Sequence, residues 1–361
     1  MRILLVSSYF FPHVGGVERF VAVLAEGLAD RGHEVTVLCC RTQPSPREED
    51  VDRFHVVRVR AANVAERRFG TPLPLPSPLA FSRAASRLVR SADVIHAQDA
   101  LYPTTWLALA AARRHRVPSI VTQHVGFVRQ QHVALDLIEK AAIRAVGPIV
   151  RRADRVVSYN PTVASWAART WSLGGVDVLP SGVSIASAVP QRSDVGLADD
   201  RFVALFVGRD VAKKGLRHFI SAAGPEYDLV AVTDSAHASE GVEVRPFMPP
   251  EQLGRLLRAV DALVLPSVDE GVPLVIQEAA RAGIPIVTTA QPGLEAYFAD
   301  DDALFVEASG ESIRAALLRL ASDPALRRRL GERASVVGHR HFGASEFVDA
   351  YENAYARLVA G

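Results

Sequence analysis

Cysteine is scarce in this sequence. Only Cys39 and Cys40 occur among the 361 residues, and they are adjacent in the apolar run VTVLCC, which is typical of a β-strand. Neighbouring side chains of a strand point to opposite faces, so this placement favours reduced, packed thiols over a disulfide that staples the fold. The 49% hydrophobic content must supply the core instead, and in a chain of this length it can fill two cores.

A surplus of charge and a secretory signal are missing as well. The 41 Lys and Arg residues against 40 Asp and Glu residues leave a formal net charge of +1. Such a chain has no strongly positive electrostatic potential that would attract nucleic acid, so nucleic acid is not an expected partner. The apolar run near the N-terminus is too short to span a bilayer and lacks the core and cleavage site of a signal peptide. We therefore expect a cytoplasmic protein.

Several nucleotide and metal fingerprints are absent. Neither a G-x-G-x-x-G loop nor a Walker A lysine pattern occurs, which removes the main support for dinucleotide oxidoreduction and P-loop hydrolysis. No spacing of His, Cys or Asp suggests a metal site. The aspartates of ADDDA, residues 299–303, read as an exposed turn rather than as a pair that holds a metal-bound diphosphate. No metal or other cofactor is predicted.

Short apolar strands alternate with helical segments along the chain. RILLVSS, a glycine loop, the helix-period VERFVAVLAEGLADRG and HEVTVLCC form one βαβ unit near the N-terminus. A segment rich in Ser, Pro and Asp interrupts the alternation, which restarts at FVALFVGRD. This pattern predicts an α/β protein of two Rossmann-like domains that face a cleft, with ligands at the carboxyl ends of parallel strands.

The domain boundary is predicted within the interrupting segment. We assign residues 1–186 to an N-terminal domain and residues 187–343 to a C-terminal domain. Residues 344–361 contain SEFVDAYENAYARLV, in which apolar and aromatic residues recur at helical spacing. Such a helix must dock on another surface, and we expect that surface to belong to the N-terminal domain.

The loop PHVGGVE follows the first strand and carries Gly15 and Gly16. Their backbone N–H groups could meet a phosphate at the start of the next helix, where the helix dipole favours an anion. Taken by itself, the loop is better explained as an ordinary turn between strand and helix that needs glycine at positive φ.

Two cations follow the strand that opens the second domain. In VGRDVAKKGL, Arg209 comes directly after the strand and Lys214 follows five residues later, just before a helix. Together they could neutralise a diphosphate, because arginine binds two oxygens at once and lysine acts as a point charge. Either residue alone would pass for a solvated loop cation, but their joint position favours a diphosphate site.

Two glutamates lie eight positions apart in DEGVPLVIQEAARAG. Glu270 precedes a helix that would include Pro273 in its first turn, and Glu278 lies inside that helix. Carboxylates accept hydrogen bonds from vicinal hydroxyls, and the N–H groups of Val272 and Leu274 could face the same ligand. The alternative is that Glu270 merely favours the helix N-terminus and that Glu278 is a surface residue of the helix. For Glu278 this is disfavoured, because a carboxylate in a helix packed on a sheet is costly without a partner.

Histidines at strand ends are weaker candidates. His124 ends the strand PSIVTQH, and His96 and Asp99 lie at the end of a neighbouring strand in VIHAQD. A lone histidine is more often structural than catalytic, but the carboxyl ends of strands are where such a fold binds its ligands. We retain His124 as a candidate and rank the other two below it.

These segments resemble, in order, the signatures of the family 4 retaining glycosyltransferases of the GT-B fold. The resemblance rests on YFFPHVGGVERFVAVLAEGLADRGHEVTVL, VIHAQD, PSIVTQHVG, VLPSGV, VGRDVAKKGL, DEGVPLVIQEAARAGIPIV and PGLEAYF, and it spans nearly the whole chain. It implies transfer of a sugar from a nucleotide-sugar such as a UDP- or GDP-sugar, with retention at the anomeric carbon and no metal ion. The implied acceptor is a glycan, a lipid-linked molecule or a small molecule.

The resemblance also implies roles for individual residues. Arg209 and Lys214 would bind the diphosphate and stabilise the leaving charge, as a metal ion does elsewhere. Glu278 would hold the ribose, Glu270 would contact the donor sugar, and His124 would lie by the reacting centre. The implied catalytic residues are His124, Arg209, Lys214 and Glu270. The implied donor-binding residues are Gly15, Gly16, Arg209, Lys214, Glu270, Gly271, Val272, Pro273, Leu274 and Glu278.

The sequence departs from the family pattern in the second domain. A glycine-rich loop and a helix are shortened to TDSAHASEG, Phe247 to Pro249 replace a glycine-containing turn, and Pro273 replaces a glycine. These changes leave a second hypothesis open, a non-catalytic GT-B protein that binds a nucleotide or glycan as a partner subunit. A dehydrogenase would need the missing fingerprint, and a sugar-nucleotide epimerase would not carry the two-glutamate pattern.

One region is locally basic. From Arg113 to Arg155 nine Lys and Arg residues stand against three Asp and Glu residues, and HVALDLIEKAAIRAVGPIVRR reads as an amphipathic helix. Such a region could make a peripheral contact with an anionic membrane at its inner face. A solvated helix face is the simpler alternative.

If this region meets a membrane, the protein will sediment with anionic vesicles at low salt and dissociate as the salt concentration rises, because salt screens the attraction. Vesicles of neutral lipid provide the control. No sedimentation with anionic vesicles at low salt would leave the solvated face as the explanation.

Overall fold

The chain folds into two compact units, Met1–Gly182 together with Ala344–Gly361, and Val183–Gly343. The computed structural model describes residues 1–13, 15–51, 53–69, 72–126, 140–185, 189–235, 240–268 and 270–361. The predicted boundary between residues 186 and 187 lies outside the described residues. The first unit is built from two separate stretches of the chain.

The first unit contains a mainly parallel sheet with helices between its strands. Its described strands are β1 (Arg2–Val6), β2 (Glu34–Arg41), β3 (Glu48–Val51), β4 (Phe54–Ala62), β5 (Leu75–Pro76), β6 (Val94–Gln98), β7 (Ser119–Thr122), β8 (Arg155–Ser158) and β9 (Asp177–Val178). The order in space is β3-β4-β2-β1-β6-β7-β8-β9, with β5 beside β4. Strands β3 and β5 run antiparallel to β4, and the other pairs are parallel.

Helices cover the two faces of this sheet. They include α1 (Gly16–Asp30), α2 (Val64–Phe69), α3 (Pro78–Val89), α4 (Pro103–His115), α5 (Gly147–Val150) and α6 (Pro161–Trp171). Along β1, Ile3 and Leu5 pack into a core with α1, whereas Leu4 and Val6 pack into a core with α3 and α4. Alternate residues of a strand face opposite sides, so a strand buried on both faces must be apolar throughout, as RILLV is after its first residue.

The second unit contains a fully parallel sheet. Its described strands are β10 (Val203–Val207), β11 (Asp228–Val232), β12 (Val242–Arg245), β13 (Ala262–Leu265), β14 (Ile286–Thr288) and β15 (Leu304–Phe305), in the order β12-β11-β10-β13-β14-β15. Its described helices are α7 (Leu216–Ile220), α8 (Pro250–Ala259), α9 (Leu274–Ala282), α10 (Pro292–Glu295), α11 (Gly310–Ser322) and α12 (Pro324–His341). The chain order changes direction beside β10, and the loops after β10 and β13 therefore lie at the same edge.

A last helix, α13 (Ala344–Ala360), completes the first unit. It approaches α1 so closely that a Cβ atom at Gly27 would lie 2.5 Å from Val348 Cγ2. Tyr351 and Tyr355 are fully buried, and the Tyr355 hydroxyl lies 2.6 Å from Nδ1 of His96. The helix is thus an integral part of the core, held by apolar contacts and by hydrogen bonds under the sheet.

Two glycines on α12 allow it to approach the backbone of α9. A Cβ atom at Gly331 would lie 2.4 Å from the carbonyl oxygen of Gly283, which ends α9 at a φ of +72°. A Cβ atom at Gly338 would lie 2.5 Å from the backbone of Ala280. Since α9 carries Glu278, this contact helps to fix the position of a predicted ligand-binding residue.

Replacing Gly338 with alanine should therefore lower the free energy of unfolding by about 1–3 kcal/mol, because the added methyl group overpacks a backbone contact. Urea denaturation measures the change. Val336→Ala is the matched control, since Val336 lies on the same helix with 67% of its surface exposed, and it should stay within about 0.5 kcal/mol of the parent. Equal stability of the two variants would contradict the close packing of α9 and α12.

Candidate functional site

The loop after β10 carries the predicted diphosphate cations. It ends in a 3₁₀ turn, Ala212–Lys214, followed by Gly215 at a φ of +75°. A Cβ atom at Gly215 would lie 2.4 Å from the carbonyl oxygen of Pro266, so only glycine fits between this loop and the one after β13. A backbone hydrogen bond of 2.8 Å from Val268 to Lys213 joins the same two loops. The turn that presents the lysines is therefore rigidly supported.

Lys214 and Glu270 are in direct contact. The ammonium of Lys214 donates a hydrogen bond of 2.8 Å to Oε2 of Glu270, although the residues lie 56 positions apart in the chain. The Glu270 side chain is only 9% exposed, which strengthens the interaction relative to a surface ion pair. The structure thus brings together a cation and a carboxylate that the sequence placed in separate motifs.

Lys213 is a further member of this cluster that sequence reasoning missed. Its Nζ lies 3.7 Å from Oε1 of Glu270, on the other oxygen of the carboxylate. Burial lowers the pKa of the Lys213 ammonium; Glu270 opposes this effect, and the charges of Lys214 and Arg209 add to it. Arg209 therefore lies close enough to act on Lys213. Its guanidinium has no hydrogen bond or ion pair among the residues that the structure describes.

Gln291 holds the backbone of Glu270 and was also missed. Its Oε1 accepts a hydrogen bond of 2.9 Å from the Glu270 amide, and its Nε2 donates to the carbonyl of Ser267 at 3.3 Å. Gln291 lies between β14 and the proline that begins α10. The sequence did contain a signal for Gln291. It is a polar residue shortly after β14, and parallel strands end at one edge of the sheet, so it could be expected near the loops after β10 and β13.

The remaining residues of the two-glutamate motif lead into α9. The helix begins at Leu274 rather than at Pro273, which directly precedes it and supplies the first carbonyl acceptor, to the amides of Ile276 and Gln277. Pro273, which was expected in the first turn, therefore lies just before the helix. Val272 and Glu278 are buried, at 2% and 3% exposure, and Gly271 is half-buried. Glu278 is thus not a surface residue of the helix. Asp269 lies outside the described residues.

In the first unit, Gly15 precedes α1 and Gly16 is its first residue. Neither glycine has a positive φ, so the expectation of a turn that needs this conformation was wrong. A Cβ atom at Gly15 would lie 2.4 Å from the carboxylate of Glu18, whose other oxygen is 2.8 Å from Nδ1 of His13. A side chain at position 15 would therefore displace the Glu18 carboxylate from its place beside His13. A Cβ atom at Gly16 would meet nothing within 4 Å.

His13 connects the glycine loop to α2. Its Nε2 lies 3.1 Å from Oε1 of Glu66, and its ring stacks on Tyr9 with centroids 4.0 Å apart. Burial acts to lower the pKa of His13, but hydrogen bonds and charges of Glu18 and Glu66 outweigh burial and raise it. The loop is therefore held by a histidine between two carboxylates.

His124 lies just beyond β7 and is buried. Its Nε2 is 2.8 Å from Oε1 of Gln98, and its amide donates a hydrogen bond of 3.0 Å to Asp99. Burial lowers the pKa of His124 to about 3, so the ring is neutral near pH 7. Burial raises the pKa of Asp99 to about 7, although the His124 amide opposes this change. His96 contacts Tyr355 and Thr122 and belongs to the buried network under α13.

Residues 300–302 form a turn, and Asp302 pairs with Arg333 at 2.9 Å. The described residues include no group of three His, Cys, Asp or Glu side chains that could hold a metal ion. Within the same residues, no helix is long and apolar enough to cross a membrane. Parts of the shortened loop, 236–239, and of the basic helix, 132–139, lie outside the described residues.

Comparisons with known proteins cover the chain from end to end. The sequence model of Glycosyltransferase Family 4 matches residues 14–187, and that of Glycosyl transferases group 1 matches residues 190–337. MMP alpha-(1->4)-mannosyltransferase of Mycolicibacterium hassiacum is 27% identical over 100% of both chains. Alpha-monoglucosyldiacylglycerol synthase of Acholeplasma laidlawii is 23% identical over 99% of this chain and 98% of its own.

A solved structure shows the same fold. The Anabaena protein Alr3699/HepE, in complex with UDP-glucose, matches with a TM-score of 0.77 and 15% identity over 99% of this chain and 100% of that chain. The predicted GT-B class, with parallel sheets in two α/β units, is confirmed. The two sequence models and the curated sugar-transferring relatives together show that this chain is a glycosyltransferase and belongs to family 4.

Proposed function

We propose that this glycosyltransferase is a retaining enzyme that takes its sugar from a nucleoside-diphosphate sugar and needs no metal ion. The observation that carries the proposal is the contact between Lys214 and the buried carboxylate of Glu270, with Lys213 and Arg209 close by. An anionic diphosphate requires cations, and a sugar requires hydrogen-bond acceptors for its hydroxyls. Two ammonium groups beside one carboxylate supply both, and the charge of Arg209, which acts on Lys213, adds to the positive excess for the diphosphate.

In the proposed reaction, the bond between the anomeric carbon and the phosphate oxygen breaks, and both electrons leave with the nucleoside diphosphate. Arg209 and Lys214 stabilise the charge that develops there, which is the task of a metal ion in other transferases. The acceptor oxygen forms the new bond on the same face of the sugar, which retains the configuration. The acceptor proton passes to the leaving phosphate oxygen, so that no charged histidine is needed.

The other predicted residues have supporting roles in this proposal. Glu270 accepts hydrogen bonds from the donor sugar, and Glu278 accepts them from the ribose. The stretch from Gly271 to Leu274 offers backbone N–H groups just before and at the start of α9, where the helix dipole favours an anion. Within the first unit, the space beside the Cα atom of Gly16 is open to a ligand, and His124 is neutral, which suits a hydrogen-bonding role.

The relatives support a general range of partners. One is named for mannosyl transfer, another for a glucosylated diacylglycerol, and the solved structure contains UDP-glucose. For this chain we propose a UDP- or GDP-hexose as donor and a glycan, a lipid-linked molecule or a small molecule as acceptor. A cytoplasmic enzyme with a peripheral contact at the inner face of the membrane fits the exposed arginines at 113, 114 and 116.

A thermal-shift screen against UDP, GDP, ADP, CMP and their common sugar conjugates tests the donor site. A ligand that binds only the folded protein raises the melting temperature, so we expect a shift with one base. The shift should disappear in Glu278→Ala. Glu332→Ala, on the exposed surface of α12, is the control and should keep it. No shift with any nucleotide would contradict a donor site in the second unit.

Replacing Arg209 or Lys214 with alanine should reduce turnover of that donor by about two orders of magnitude or more, by analogy with the loss of one oxyanion donor. Release of the nucleoside diphosphate measures the rate. Arg329→Ala, an exposed cation on α12, should leave turnover within a few-fold of the parent. Retention of parental turnover by either site variant would show that its cation does not stabilise the leaving group.

The same reaction tests retention and metal independence in the parent enzyme. Turnover should be unchanged by EDTA, and proton NMR of the product should show the anomeric configuration of the donor. A strict requirement for added Mg²⁺ or Mn²⁺, or an inverted product, contradicts the corresponding part of the proposal.

A further inference from the structure

Two consecutive lysines share one buried carboxylate. Lys214 donates to Oε2 of Glu270 at 2.8 Å, and Nζ of Lys213 lies 3.7 Å from Oε1. Neither lysine is fully buried: their side chains are 34% exposed at Lys213 and 19% exposed at Lys214. The Glu270 carboxylate therefore has one close partner and one partner slightly beyond hydrogen-bond distance.

The proposed function gives Lys214 and Glu270 different ligands. The diphosphate draws the ammonium of Lys214, whereas the donor sugar needs Glu270 at its hydroxyls. In the structure the two groups are bound to each other. Moving Lys214 toward a phosphate weakens the hydrogen bond to a carboxylate that is only 9% exposed, and a buried charge that loses its partner is strongly disfavoured. Donor binding would therefore leave the Glu270 carboxylate without a close cation, which lowers the affinity for the donor unless another cation takes the place of Lys214.

We propose that Lys213 is a positioning residue that holds the Glu270 carboxylate when Lys214 turns to the donor diphosphate. This inference rests on the proposed function, and it assigns to Lys213, the first lysine of the AKKG segment, a task separate from phosphate binding. With Lys213 in this role, the site can present the Lys214 ammonium to the phosphate and the Glu270 carboxylate to the sugar at the same time.

The geometry around Lys213 suits this task. Its carbonyl accepts the 2.8 Å hydrogen bond from Val268, which fixes the origin of the side chain. The amide of Glu270 is fixed by Gln291 at 2.9 Å, so the carboxylate keeps its place. Between these two fixed points, the flexible four-carbon stem of lysine can close a gap of 3.7 Å to hydrogen-bond distance.

The charged groups that act on Lys213 give the inference a pH signature. Glu270 faces it from the loop after β13, and Lys214 and Arg209 face it from its own loop. Burial, with the two cations, lowers the pKa of Lys213, so its proton is lost at a lower pH than that of an ordinary lysine. As pH rises, the parent therefore loses the charge of Lys213. An arginine at the same position stays charged over the whole range.

A double-mutant cycle separates a positioning role from a direct phosphate contact. We would measure the dissociation constants of UDP, GDP and ADP by calorimetry and follow the nucleotide that binds the parent most tightly. Lys213→Met should weaken binding of this nucleotide about tenfold, since a charged hydrogen bond to Glu270 is lost. Lys213→Arg keeps the charge and should bind the nucleotide as tightly as the parent does. In a Glu270→Gln background the same methionine substitution should change the affinity less than about twofold, because no carboxylate remains to be held.

The pH profile is the second measurement. Between pH 7 and pH 10 the affinity of the parent, taken relative to that of Lys213→Arg at each pH, should fall toward that of Lys213→Met. An equal loss in both Glu270 backgrounds would show that Lys213 contacts the phosphate itself and would overturn the inference. No loss in either background would overturn it as well. Unliganded melting temperatures, compared across the set, identify any variant that is simply unfolded.

Failure of the proposed function gives a different result. If Lys214→Ala and Arg209→Ala bind the chosen nucleotide as tightly as the parent does, the diphosphate site is wrong and the inference falls with it. If these variants lose affinity while Lys213→Met does not, the diphosphate site stands and only the role of Lys213 is refuted.

Discussion

The candidate site depends on one largely buried carboxylate. Glu270 lies at the carboxyl edge of the second sheet with 9% of its side chain exposed, and its charge is tolerated because an ammonium group is 2.8 Å away. The supporting structure serves this pair. Gly215 lets the lysine loop approach Pro266, and Gln291 fixes the backbone of Glu270. Because the Glu270 carboxylate depends on Lys214 in the unliganded protein, a ligand that binds Lys214 also changes the environment of Glu270.

Much of this arrangement was accessible from the sequence, because it follows from topology. Parallel strands end at one edge, so the loops that follow β10 and β13 lie near each other, however far apart they are in the chain. Lys214 and Glu270 lie in these two loops. The buried position of Glu278 followed from the apolar pattern around it, and the two α/β units followed from the restart of the strand pattern.

The parts that were missed depend on side-chain geometry that periodicity does not encode. Lys213 looked like an ordinary loop lysine, since nothing in AKKG tells which ammonium reaches which oxygen. The surroundings of Gly15 were also hidden: the carboxylate of Glu18, three positions away, lies against it, and its backbone angle is not one that favours glycine. The neutrality of His124 required knowledge of its burial, because a histidine at a strand end can equally be solvated.

The discontinuous first unit has a consequence for how the protein is made. Phe347, Tyr351 and Tyr355 of α13 are fully buried in the core of this unit, yet the whole second unit precedes them in the chain. During synthesis the ribosome therefore delivers residues 183–343 before the first unit has its complete core. The first unit, although its main part is synthesised first, cannot complete its core until α13 has been synthesised. Until then the apolar surface of α1 that α13 covers stays exposed.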